Sequence, residues 1–143
     1  LQTGIAVGAT AILVPEVPYT IEQVCNKIAE TKKNGKQHFI IVVAEGAEIS
    51  AETVTKEITA RTGTDARRTV LGHLQRGGNP TVRDRVAASE MAYAAVKLLK
   101  DGIGNRVVCY HHDKIVDYDI VEALNMTKEF DTAAYYMASD LAL

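Results

Sequence analysis

The run Phe39-Ile40-Ile41-Val42-Val43-Ala44 is the most hydrophobic in the chain and shows no polar alternation. A strand with one wet face alternates apolar and polar residues. A continuous β-branched run is buried on both sides, as a central strand of a parallel sheet is when helices cover both faces. The flanking sequence supplies the rest of that architecture. Ala11-Ile12-Leu13-Val14 is an apolar strand ended by Pro15. Thr20 opens a helix with Gln23 as its capping-box partner, and Ile21, Val24, Cys25 and Ile28 follow at the spacing of one buried face. Ser50 opens a second helix that turns Val54 and Ile58 inward and stops at Thr62-Gly63. A third strand is expected over residues 68–71. Strand, helix, strand, helix, strand with short connections makes two βαβ units with right-handed crossovers, hence a parallel α/β sheet.

The pattern changes after residue 80. Pro80-Thr81 starts the longest helix, with Ala88, Met91, Ala92, Ala95, Leu98 and Leu99 expected inward. Two β-type runs around His111-His112-Asp113 form a hairpin. A helix over residues 118–126 follows, then one capped by Asp131 that buries Ala134, Tyr135, Ala138 and Leu141. At 143 residues, 47% hydrophobic and 24% charged, the chain supports a globular core rather than disorder. A formal net charge of −2 and no interleaving of aromatic and basic residues argue against nucleic acid. Cys25 and Cys109 stand far apart without metal or redox spacing, which suits a reducing cytoplasm. No run approaches the roughly 20 apolar residues of a membrane span. The chain opens at Leu1 on what reads as the tail of an uncapped helix, so further sequence upstream is expected.

Ligands of parallel α/β sheets gather at the carboxyl ends of strands. Glu16, Glu45 and His73 each follow a strand end, with Arg76 just beyond His73. Glu45 is open to two readings, a carboxylate at a helix N-terminus or an acceptor for sugar hydroxyls. Glu16 fits a turn as well as a site. Lys32, Lys33 and Lys36 are a solvated helix end or a phosphate contact. Arg67 lies at the other end of the expected third strand, so it is either a surface residue or a visitor to another subunit's site. His111-His112-Asp113 reads as a turn, because adjacent strand residues point to opposite faces and no third ligand follows at helical spacing. Tyr135 and Tyr136 belong to a core or an interface. Neither GxxxxGK[ST] nor GxGxxG occurs, so phosphoryl-transfer machinery is absent and at most an acceptor pocket is present.

One stretch mixes imidazole, amide and guanidinium on a glycine-rich turn: Arg67-Arg68-Thr69-Val70-Leu71-Gly72-His73-Leu74-Gln75-Arg76-Gly77-Gly78-Asn79-Pro80. That mixture suits a small oxygen-rich anion. It resembles the signature of the phosphofructokinase family in its bacterial 6-phosphofructokinase form. The likeness continues through Val14-Pro15-Glu16-Val17, Gly35-Lys36, Glu45, Thr62-Gly63 and Asp84-Arg85. The resemblance implies the C-terminal part, under half, of such an enzyme. The implied fold is a parallel βαβ three-layer sandwich, incomplete, with the helix and hairpin completing a second α/β domain. It allots residues 1–73 to the sugar-phosphate and effector domain, 74–125 to the nucleotide-binding domain and 126–143 to a helix returning to the first.

The implied activity is magnesium-dependent transfer of the ATP γ-phosphate to fructose 6-phosphate in glycolysis, by a cytoplasmic homotetramer. Glu45 would then bind sugar hydroxyls, and His73 and Arg76 the 6-phosphate. Arg67 would reach that phosphate from a neighbouring subunit. Glu16, with a magnesium ion, and Lys36 would hold an allosteric ADP or phosphoenolpyruvate. Asn34 stands where a further basic residue is expected, with Lys33 as its substitute. The catalytic residues would lie upstream, leaving this piece inactive alone. A pyrophosphate-dependent enzyme and a non-catalytic sugar-phosphate-binding module are the alternatives.

Overall fold

The computed structural model describes residues 1–142. In chain order its elements are helix α1 (Gln2–Ala6), strand β1 (Ala11–Leu13), helix α2 (Ile21–Lys33), strand β2 (Ile41–Val43) and helix α3 (Ala51–Thr62). A 3-10 turn (Gly72–Arg76), helix α4 (Val82–Lys100), strands β3 (Arg106–His111) and β4 (Lys114–Asp119), and helices α5 (Ile120–Asn125) and α6 (Thr132–Leu141) follow. Two compact units emerge. The first holds Leu1–Val70 and the chain from Glu129 onward; the second holds Leu71–Lys128.

The first unit is built on a parallel pair, with Ala11 opposite Ile41, Ile12 opposite Val42 and Leu13 opposite Val43. Successive strand residues face opposite sides. Leu13, with Ala11, Ile41 and Val43 beside it, packs on Val24, Cys25 and Ile28 of α2 and on Val54 and Ile58 of α3. Ile12 and Val14, with Val42 and Ala44, pack on Ile5 of α1 and on Tyr135 and Ala138 of α6. Helices therefore cover both faces, a three-layer α/β arrangement. β2 does contribute to both faces, yet its residues are only half-buried, because it has a single paired edge.

Local chemistry sets the helix ends. Gln23 N–H donates to Thr20 Oγ1 at 3.2 Å and Thr20 N–H to Gln23 Oε1 at 2.8 Å, a complete capping box for α2. Ser50 caps α3, and Gly63 closes it at φ 65°. At Gly4 a Cβ would meet Ile12 Cδ1 at 2.5 Å, so the bare glycine is what lets α1 lie against β1. The segment at 64–71 is not a strand: it forms no ladder with any strand among the described residues. A strand needs a ladder partner, and this segment is tied instead by Arg68, which donates to Glu52 at 2.9 Å. In α6, Ala138 is buried and Tyr135 half-buried, whereas Leu141 is exposed and Ala142 takes the inward place.

The second unit packs α4 on an antiparallel hairpin, in register from Arg106 opposite Asp119 to His111 opposite Lys114. His112 and Asp113 both adopt positive φ, 49° and 58°, which matches the right-handed twist of a two-residue hairpin turn. The histidine-rich cluster is thus a turn. On α4 the half-buried residues include Ala87, Met91, Ala94, Ala95 and Leu98, while Ala88, Ala92 and Leu99 face outward. α5 is shorter than its pattern implied, because Tyr118 stays in β4 and Asp119 caps the helix through Val121 N–H. No residue of this unit is buried.

Candidate functional site

Three places carry the candidate side chains. The first is the carboxyl edge of the parallel pair. Leu13 and Val43 end their strands in register, and the loops that follow touch: a Cβ on Gly46 would lie 3.4 Å from Pro15 Cγ. Glu16 and Glu45 are next to this contact, both exposed. Neither has a protein partner among the described residues, so both carboxylates are free to accept from hydroxyls or a cation.

The second place is the opposite edge. α2 runs back along the sheet for 13 residues, so its C-terminus lies about 20 Å from its start. Lys33 is exposed there in its last turn, and Lys36 follows on the turn made by Gly35 at φ 91°. Lys36 Nζ donates to the Ala142 carbonyl at 3.0 Å. A cavity of about 280 Å³ is lined by Lys32, Gly35, Lys36, Gln37, Phe39 and Thr64. Glu16 and the Lys33–Lys36 pair therefore stand at opposite ends of one βαβ unit and do not form a joint site within this chain. Nor does Glu16 make a magnesium site by itself. No group of three His, Cys, Asp or Glu comes together among the described residues, and a lone carboxylate leaves most of an octahedral shell to phosphate oxygens and water.

Lys27 is the ionisable residue that pattern reading passed over. It sits beside the Val24–Ile28 stripe and donates to both the carbonyl and Oγ of Ser139 at 2.7 Å, fastening α6 to α2. Burial pushes its pKa down, opposed by the charge of Asp140. Its position one step off an apolar stripe was the only available signal. Burial likewise pushes the Cys25 thiol up, which keeps it inert.

The third place is the glycine-rich stretch. Arg67 extends into solvent, its side chain 88% exposed and, among the described residues, held only by Asp65 at 3.2 Å. It belongs to the first unit, whereas His73 and Arg76 belong to the second. Leu74 N–H donates to Leu71 O at 3.1 Å and Gly77 N–H to Leu74 O at 3.3 Å, which winds the loop into a 3-10 turn. Gly72 at φ 54° and Gly77 at φ 98° supply the entry and exit that a side chain would resist. In a 3-10 helix residues three apart eclipse one another. His73 and Arg76 therefore project from the same side of the turn, both exposed, as a paired imidazole and guanidinium.

A family model described as Phosphofructokinase matches residues 1–99. The chain belongs to the phosphofructokinase family. It is 49% identical over its whole length to the ATP-dependent 6-phosphofructokinase of Clostridioides difficile (strain 630), covering 44% of that protein. It is 47% identical to the ATP-dependent 6-phosphofructokinase of Clostridium tetani (strain Massachusetts / E88), over 99% of this chain and 44% of that one. The fold matches a crystal structure of Pichia pastoris phosphofructokinase in the T-state, with a TM-score of 0.78 and 31% identity. That match covers 98% of this chain and 16% of the yeast chain. The chain thus spans under half the length of the bacterial phosphofructokinases it matches.

Proposed function

We propose that this chain is the acceptor-binding part of an ATP-dependent 6-phosphofructokinase. In that reaction the C1 hydroxyl of fructose 6-phosphate attacks the ATP γ-phosphorus, the bond to the β-phosphate oxygen breaks, and fructose 1,6-bisphosphate, ADP and the hydroxyl proton leave. His73 and Arg76 hold the 6-phosphate, Glu45 accepts from sugar hydroxyls, and Arg67 serves the 6-phosphate of a neighbouring subunit in a homotetramer. The observation that carries this reading is the 3-10 turn that sets His73 and Arg76 on one side. A phosphate monoester offers close to two negative charges and three acceptor oxygens, which an imidazole and a guanidinium fork complement. ATP is favoured as donor over pyrophosphate because relatives 49% and 47% identical to this chain carry ATP in their names.

Phosphoryl transfer also needs phosphate-cradling backbone, acidic metal ligands and a group that orients the nucleophile. We assign these, and the magnesium that would offset charge on the transferring phosphate, to the part of the enzyme that this chain does not span. This chain alone is therefore inactive. Lys33 and Lys36 are the candidates for the effector phosphates of ADP or phosphoenolpyruvate. Glu16 would act separately, at the other edge of the sheet. A cytoplasmic location goes with glycolysis, and no described helix is long and apolar enough to cross a membrane.

The test is steady-state kinetics on the full-length enzyme carrying Arg76→Ala or His73→Ala. Loss of a charge-assisted bond costs about 1.5–3 kcal/mol, so KM for fructose 6-phosphate rises roughly tenfold to a hundredfold while KM for ATP holds. An unchanged fructose 6-phosphate KM in both variants rejects the assignment.

A further inference from the structure

Lys36 has two demands on one ammonium. Its backbone is fixed, with Lys36 N–H donating to Thr31 O at 3.1 Å, so the side chain has a defined origin. Its Nζ lies 3.0 Å from the Ala142 carbonyl at the end of α6, and Lys36 also lines the cavity of about 280 Å³ beside Lys32 and Phe39. The end of a helix carries partial negative charge on its unpaired carbonyls. A phosphate drawn to the same ammonium would sit against that negative end. The two acceptors repel each other, so they do not share the cation on equal terms.

We propose that Lys36 is a latch contested by the last turn of α6 and a small phosphate-type anion, so that anion binding at this cavity loosens the end of the helix. The preceding turn is tied independently by Lys27 to Ser139, so the loosening stops there. The coupling reaches Leu141 and Ala142 but not Ala138, which is buried against β1. The proposal rests on reading Lys36 as an anion-binding residue and gives that reading a consequence, linkage between an effector and the C-terminal helix. By reciprocity, whatever weakens the helix end tightens the anion by the same factor.

The experiment uses the full-length protein in an Arg76→Ala background, which removes the competing claim of the sugar-phosphate turn, with inorganic phosphate as probe. Saturating phosphate should speed amide exchange of the peptide holding Leu141 and Ala142, leaving that around Ala138 unchanged. Ala142→Gly, which frays the last turn without touching Lys36, should tighten phosphate by about two- to tenfold, the worth of one such hydrogen bond. Lys36→Met should abolish phosphate binding and leave the helix end in its fast-exchanging state. Phosphate that binds through Lys36 with no change in exchange and no gain in Ala142→Gly leaves the anion site and overturns the latch. Phosphate that fails to bind, or binds equally in Lys36→Met, overturns both.

Discussion

Gly4 and Ile12 show how one missing carbon can set a layer. Alanine would ordinarily favour a helix interior over glycine by up to about 1 kcal/mol. Here the added Cβ would lie 2.5 and 2.6 Å from two carbons of Ile12, which is itself buried under α1 and cannot swing away. Overpacking of that kind costs about 1–3 kcal/mol and outweighs the helix gain. Gly4→Ala should therefore destabilise the first unit by about 1–2 kcal/mol in urea unfolding, and Ile12→Val should recover part of the loss. The same scale separates what local sequence can and cannot convey. The pairing of Thr20 with Gln23 was legible because a cap is decided within four residues. The joining of Glu16 to Lys36 came from the family resemblance rather than from local pattern, and the βαβ path of α2 opposes it. A carboxylate and a lysine that look complementary in one dimension stand at opposite edges of the sheet.

At the scale of elements, α4 combines a well-defined start with an ambiguous face. Thr81 and Asp84 form a complete capping box, with Asp84 Oδ2 accepting from the Thr81 hydroxyl and N–H, both at 2.7 Å. Those bonds hold the Asp84 carboxyl below the usual aspartate range, the hydroxyl bond first. A depressed folded pKa stabilises above the unfolded value and is lost as pH falls through the folded one. Protection of the first-turn amides of α4 from exchange, relative to their intrinsic rates, should accordingly hold at neutral pH and fall below about pH 4, with Asp84→Asn removing the pH step. The cap was readable from sequence, whereas the phase of the helix was not. The apolar arc of α4 is broad, so Ala88 and Leu99 fitted an inward stripe as well as Ala87 and Ala94 did. Residues 68–71 differ for another reason. Their composition is that of a strand, but a strand exists only with its ladder, and β2 presents a free edge that they do not take.

Over the whole molecule, the candidate residues fall on two units, Glu45 and Arg67 on one and His73 and Arg76 on the other. If Arg67 serves a neighbour, Arg67→Ala and Glu45→Ala subunits should each be inactive as homotetramers. Mixed tetramers should regain a measurable fraction of wild-type activity, because some interfaces would combine an intact Arg67 with an intact Glu45. Mixed tetramers as dead as their parents would show that each subunit uses its own arginine. The two units also differ thermally. The first encloses two clusters of buried side chains, whereas the second encloses none and leaves Val82, Val86, Tyr93 and Val96 of α4 in water. The heat-capacity increment of unfolding comes from apolar surface newly exposed to solvent. Melting this chain releases such surface mainly from the first unit, so its calorimetric signature is that of a protein of little more than half its length.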